Sequence, residues 1–146
     1  MSRISVGRVI GGGLAAGLVI NVCEFLANWL WLAADWEAAM KALGITATNT
    51  PIQILTYNLW GFALGILAVW LYAAIRPRFG PGPRTAIKAA IAVWIPGYLL
   101  AMAPPALMGI FPLRLMGMGL AVGIVEVLLG TQLGAYLYKE EVGASQ

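Results

Sequence analysis

Apolar side chains fill this chain in four long blocks, Arg8–Leu32, Tyr57–Ile75, Ala86–Pro105 and about Pro112–Tyr138, separated by short polar segments. A membrane-spanning helix needs about 20 mostly apolar residues. Four crossings therefore fit, and they use well over half of the 146 residues. The pattern predicts an all-α integral membrane protein, with four transmembrane helices in an antiparallel bundle and a single membrane domain over residues 1–146. Between the first two blocks, Trp36, Ala39, Met40 and Leu43 recur at helical spacing, while Glu37 and Lys41 share another face. That predicts a short amphipathic helix lying along the outer surface. Asp35 is placed to cap it and Gly44 to end it. Thr46–Gln53 is polar and Pro51 argues against a continuous helix there, so residues 33–56 read as an outer interfacial helix and loop. The segment Arg76-Pro-Arg-Phe-Gly-Pro-Gly-Pro-Arg84 reads as an inner turn over 76–85, which makes the second and third spans antiparallel neighbours. Pro96 should bend the third span, and Pro104 and Pro105 should end it. The fourth span exceeds what the hydrocarbon requires, so it should tilt or protrude.

Composition supports lipid as the solvent. The chain is 61% hydrophobic and 10% charged, with a mean hydropathy of +0.85, whereas soluble domains carry about 25% charged residues. With no histidine and a single cysteine, Cys23, the usual metal, haem and disulfide frameworks have no ligands, and no cofactor is expected. The first block is too long for a signal-peptide core and runs into tryptophans instead of a cleavage site. The net charge of +3 is unevenly distributed. Arg3, Arg8, Arg76, Arg78, Arg84, Lys88 and Lys139 fall on one side of the expected bundle, against Lys41 and Arg114 on the other. The positive-inside rule then puts both termini in the cytoplasm, with the chain in a bacterial inner (plasma) membrane. Trp29, Trp31 and Trp36 suit the opposite headgroup layer. Arg76, Arg78, Arg84, Lys88 and Arg114 are the candidates for lipid-headgroup contact. No base-stacking element or recognition helix accompanies the positive charge, so nucleic acid is not an expected partner.

Glycine spacing organises the spans. Gly13-Leu-Ala-Ala-Gly17 recurs as Gly61-Phe-Ala-Leu-Gly65 and Gly119-Leu-Ala-Val-Gly123, and glycine four residues apart flattens a helix face for close backbone approach. At 100° per residue, Gly13, Gly17, Asn21, Glu24, Asn28 and Trp31 fall in one broad stripe of the first span. Gly61, Gly65, Ala68 and Tyr72 line the second span; Gly119, Gly123, Glu126, Gly130 and Gly134 line the fourth. The two glutamates lie deep. Glu24 is 16 residues beyond Arg8, about 24 Å, and Glu126 is 13 residues before Lys139, about 20 Å. Arg114, 12 residues from Glu126, is about 18 Å away along the helix and out of reach. Without a basic neighbour, at least one carboxyl is expected to keep its proton at neutral pH, donating to Asn21, Asn28, Gln132 or a backbone carbonyl. Asn21, Glu24, Asn28, Glu126 and Gln132 thus form the candidate proton or ion site. Gly13, Gly17, Gly61, Gly65, Gly119, Gly123 and Gly130 form the candidate packing surface.

No catalytic constellation accompanies these groups. The spans hold no serine, and their only aspartate is the boundary residue Asp35, so neither form of intramembrane proteolysis has its residues and no enzyme is expected. Four spans with a carboxyl at Glu24 in the first are similar to the small multidrug resistance transporters in those two respects. The chain departs from them in its greater length, its added outer helix and its strong bias of charge. Two readings follow. One is a structural or accessory membrane protein packed by glycine faces, its partners being membrane lipids, further copies of itself or other membrane subunits. The alternative is a small proton- or cation-coupled permease using Glu24, Glu126 or both.

Overall fold

The structure, a computed structural model, describes residues 4–46 and 48–138. Helix α1 (Val6–Glu24) continues without a break into a π-helical stretch, Phe25–Trp31. Helices α2 (Ala33–Ala42), α3 (Pro51–Phe79) and α4 (Pro83–Trp94) follow. Helix α4 runs through a second π-helical stretch, Ile95–Leu100, into α5 (Ala101–Leu107), and α6 (Leu113–Leu137) completes the order. Four continuous rods, Val6–Trp31, Pro51–Phe79, Pro83–Leu107 and Leu113–Leu137, are long and apolar enough to cross a membrane. The chain is thus an all-α, multi-pass membrane protein with one short extra helix between its first two spans, as the pattern of apolar blocks predicts.

The helix ends differ from several of the expectations above. Asp35 does not cap α2: Leu32 occupies the N-cap and Asp35 sits in the first turn, where a negative charge favours the helix dipole. Gly44 does end α2. At φ +71° it lets Gly44 N–H reach Lys41 O at 3.0 Å and Ile45 N–H reach Met40 O at 3.0 Å, the paired bonds of a Schellman motif. Pro51 opens α3 instead of interrupting it. Thr50 and Gln53 form a reciprocal capping box around it, and a proline at the first helical position has no intrahelical donor to lose. The expected inner turn over 76–85 contracts to Gly80–Gly82, because α3 runs to Phe79 and Pro83 opens α4. Gly80 and Gly82, at φ +80° and +123°, supply the reversal. Pro104 and Pro105 lie inside α5, and it is Gly109 at φ +66° that closes that span. Pro96 is the second residue of the π-helical stretch. Its missing N–H and its ring, which crowds the carbonyl four residues back, dislodge the regular ladder there.

Helix α1 lies between α3 and α6, while α4 closes the bundle against both α3 and α6. The stripe expected on α1 is two rows. Gly13 and Gly17 meet α3: a Cβ on Gly17 would lie 2.6 Å from Phe62 Cα, and Gly65 rests on the backbone of Gly13 and Gly17. Gly12 and Ala16 meet α6, where a Cβ on Gly12 would lie 2.7 Å from Gly134 O and one on Gly130 2.7 Å from Ala16 O. Trp31, expected in that stripe, is exposed. At the end of the bundle carrying the α3–α4 turn, Tyr72 and Tyr138 pack edge to face in a core with Val9, Val69 and Ala86. Gly82 N–H donates to the Tyr72 hydroxyl at 3.2 Å, and Ser5 N–H to that of Tyr138 at 3.4 Å. At the other end, α2 lays Leu32 and Ala39 on Leu115, and Trp36 meets Phe111 edge to face. Trp36 and Ala39 are apolar positions of its amphipathic pattern, whereas Leu32 is the residue that precedes the helix; Glu37 and Lys41 face outward and Leu43 is exposed.

Candidate functional site: a carboxyl pair between the first and last spans

Glu24 ends the regular part of α1, one turn beyond Ile20 in the row that faces α6. Glu126 lies in the middle of α6 and is fully buried. The two carboxyls are near enough for each to feel the other's charge. Each also accepts a close hydrogen bond from a π-helical stretch: Asn28 Nδ2 donates to Glu24 Oε2, and the Tyr98 hydroxyl donates to Glu126 Oε1. Asn28 Oδ1 in turn accepts from Trp36 Nε1 at 2.9 Å. Hydrogen bonds therefore run from Trp36 of α2 through Asn28 to Glu24, and a separate one joins Tyr98 to Glu126. The π turn is the device that aims these partners, since its extra residue rotates the helix face, and such turns recur at functional sites. Gly123 makes the room. A Cβ there would lie 2.6 Å from Tyr98 Cε1, so only glycine lets the ring reach past α6 to Glu126.

Of the candidate site residues, Glu24, Asn28 and Glu126 come together. Asn21 and Gln132 do not. Asn21 sits in the α3-facing row, donating to Asn58 O at 3.1 Å with its amide against Gly61, and so ties α1 to α3. Gln132 donates to Pro83 O at 3.1 Å, tying α6 to the start of α4. The sequence reading missed Tyr98 and the polar role of Trp36. A tyrosine two residues after Pro96, inside an apolar block, was the available signal. From the sequence Trp36 reads as an apolar position of the surface helix and as a headgroup-layer tryptophan, because spacing alone does not distinguish an indole N–H that bonds protein from one that bonds a headgroup.

Among the packing glycines, Gly13, Gly17, Gly61, Gly65 and Gly130 sit at close inter-helix contacts. Gly123 serves Tyr98, and Gly119 meets only the side-chain end of Met102, at 3.3 Å. Of the basic residues, Arg78, Arg84 and Lys88 are exposed at the turn end, with Lys88 Nζ 3.8 Å from the centroid of Phe79. Arg76 is half-buried, its guanidinium 5.9 Å from the centroid of Tyr138. Arg114 is exposed at the α2 end. Arg3 and Lys139 lie outside the described residues.

Oε2 of Glu126 is buried and accepts no bond from an N–H or a neutral hydroxyl. Leaving a buried acceptor unpaired is unfavourable by about 1–3 kcal/mol. Among the described residues no cluster of three or more histidine, cysteine, aspartate or glutamate side chains could hold a metal ion. What the arrangement can do chemically is hold, share and pass a proton among oxygens. No protein-family model matches the chain, and no curated protein or solved structure matches it.

Proposed function

We propose that the protein is a structural or accessory component of a membrane, non-enzymatic, with the carboxyl pair serving as a neutral, proton-sharing lock between its first and last spans. The seating of α1 backbone-on-backbone between α3 and α6 carries this reading. Small-residue contact of that kind favours a fixed arrangement over sliding helices. The lock is consistent with it, because Glu126 is fully buried and its neighbours are protein groups. Two neighbouring carboxylates without a cation cannot both be ionised at low cost. One shared proton supplies the donor that Glu126 Oε2 otherwise lacks. The exposed faces of the outer α3 half and of α5 are where another copy or another membrane subunit would seat. The positive charge at the turn end supports the cytoplasmic side for both termini, in a bacterial inner membrane.

The direct test reconstitutes wild type, Glu24→Gln and Glu126→Gln in liposomes holding a pH-sensitive dye. The lock reading expects no proton flux above empty liposomes for any of the three, with the glutamine variants folding as wild type does. A second reading, a small proton- or cation-coupled permease, is favoured by one observation: hydrogen bonds lead from α2, near the bundle's end, through Asn28 to Glu24. It expects flux in wild type that both substitutions abolish, and that outcome would displace the lock.

A further inference from the structure

We propose that the α2 end of the bundle holds a phospholipid with an amine-bearing headgroup, of the phosphatidylethanolamine class. Two adjoining cavities carry the inference. The first, about 270 Å³, is walled by Asp35 and Ala38 of α2 and by Arg114, Leu115 and Met118 of α6. The second, about 470 Å³, is an apolar groove between the first span and α6, lined by Cys23, Leu26, Met118, Ala121, Val122 and Val125. Met118 lines both, so the charged cavity and the apolar groove adjoin.

The depths fit a lipid. From Arg114 to Val125 the helix advances 11 residues, about 16 Å. One leaflet is half of a hydrocarbon core about 30 Å thick. The groove therefore has the reach of one acyl chain, not of a whole span. The charges fit as well. Asp35 and Arg114 stand on different walls of the headgroup cavity, one on the surface helix and one on the spanning helix. A phosphate lies next to the glycerol and so meets Arg114, whose fork suits phosphate oxygens. A terminal ammonium lies one short link farther out and meets Asp35. A second protein chain laid in the groove would need neither charge. The inference depends on the spans lying in a bilayer and is independent of the role of Glu24 and Glu126.

The test is native mass spectrometry of the full chain released from vesicles of equal phosphatidylethanolamine and phosphatidylglycerol. Wild type is expected to retain the amine lipid by up to about fivefold over the glycerol lipid, the ratio that one exposed charge pair supports. Asp35→Asn brings that ratio to about one. Arg114→Gln lowers retention of both lipids together, and Ala121→Trp removes both by filling the groove. Asp35, Arg114 and Ala121 are all exposed, and an unchanged helical circular-dichroism signal shows each variant folded. If Ala121→Trp does not fold, Val125→Trp probes the same groove from another exposed position. Equal retention of the two lipids by wild type, or a ratio that survives Asp35→Asn, overturns the proposal. So does displacement of the lipid by soluble phosphoethanolamine at equal concentration, which makes the ligand a free headgroup. A lipid-free dimer mass that Ala121→Trp abolishes overturns it in favour of a second copy.

Discussion

The two ends of the bundle are held by different physics. Toward the α3–α4 turn, the spans meet through backbone: Gly13, Gly17 and Gly65 on one side of α1, Gly12, Gly130 and Gly134 on the other. Two tyrosines close that end, and buried residues recur on every helix. Toward α2, the helices part. Residues 51–60 of α3 are all exposed, and no residue of Ile95–Leu107 is buried. There the regular helix gives way twice to π turns, and contact passes to long polar side chains. Apolar side chains gain nothing by leaving lipid for protein. Association must come either from close backbone packing or from polar groups that lipid cannot satisfy; backbone packing dominates toward the turn, where tyrosine hydroxyls add to it, and buried polar side chains enter toward α2.

The largest effect is expected from breaking the first kind of contact. Gly17→Leu or Gly65→Leu places a side chain against backbone atoms that cannot rotate away. The loss should be at least about 1–3 kcal/mol, the cost of overpacking, and thermal unfolding in detergent reads it. Gly119→Leu, which meets only a flexible methionine end, should be tolerated. Similar losses at both positions would show that the turn end is not held by backbone contact.

Breaking the polar end comes next. Glu126→Leu strands the Tyr98 hydroxyl and should destabilise by about 1–3 kcal/mol. Glu126→Gln keeps an acceptor for it and should stay within about 1 kcal/mol of wild type. Infrared spectra across about pH 5 to about pH 9 sharpen the same point, since a proton shared by the pair gives a carboxylic-acid band that Glu126→Gln alters. Tyr72→Phe, which removes the acceptor of Gly82 N–H at the turn, should shift stability by about 0.5–1.5 kcal/mol. The smallest effect belongs to Arg78→Gln. That residue is exposed, and its loss should stay within about 0.5 kcal/mol while any role in orientation appears in cysteine accessibility at Thr48 and at Pro81.

Four spans and the α2 helix were legible because hydrophobic runs and their helical period report solvent directly. The helix ends were less so. Pro51, Pro104 and Pro105 were read as breakers, yet Pro51 is harmless at a helix start and the other two sit within α5. Proline marks a constraint on the backbone, not which side of it the helix lies. For the site, Glu24, Asn28 and Glu126 could be named because charge in an apolar block stands out. Asn21 shared the spacing of Glu24 but points to α3, since a regular 100° projection could not resolve two rows of α1 or anticipate the π turn after Glu24; Gln132, named only as a polar group able to bond a carboxyl, lies on another face of α6 and bonds the start of α4. Tyr98 escaped because a hydroxyl on an aromatic ring reads as apolar until its neighbour is known.

The position of α1 between α3 and α6 has a consequence for how the chain is made. Its glycine row toward α3 finds its mate as soon as the second span is synthesised, but the row of Gly12, Ala16 and Glu24 must wait for the last. During that interval Glu24 is already in the membrane without Glu126. Asn28, one turn away on the same helix, is the partner it can have from the outset. The local bond is thus available to the Glu24 carboxyl before α6 arrives, and the first span does not depend on the last for a partner to its acid.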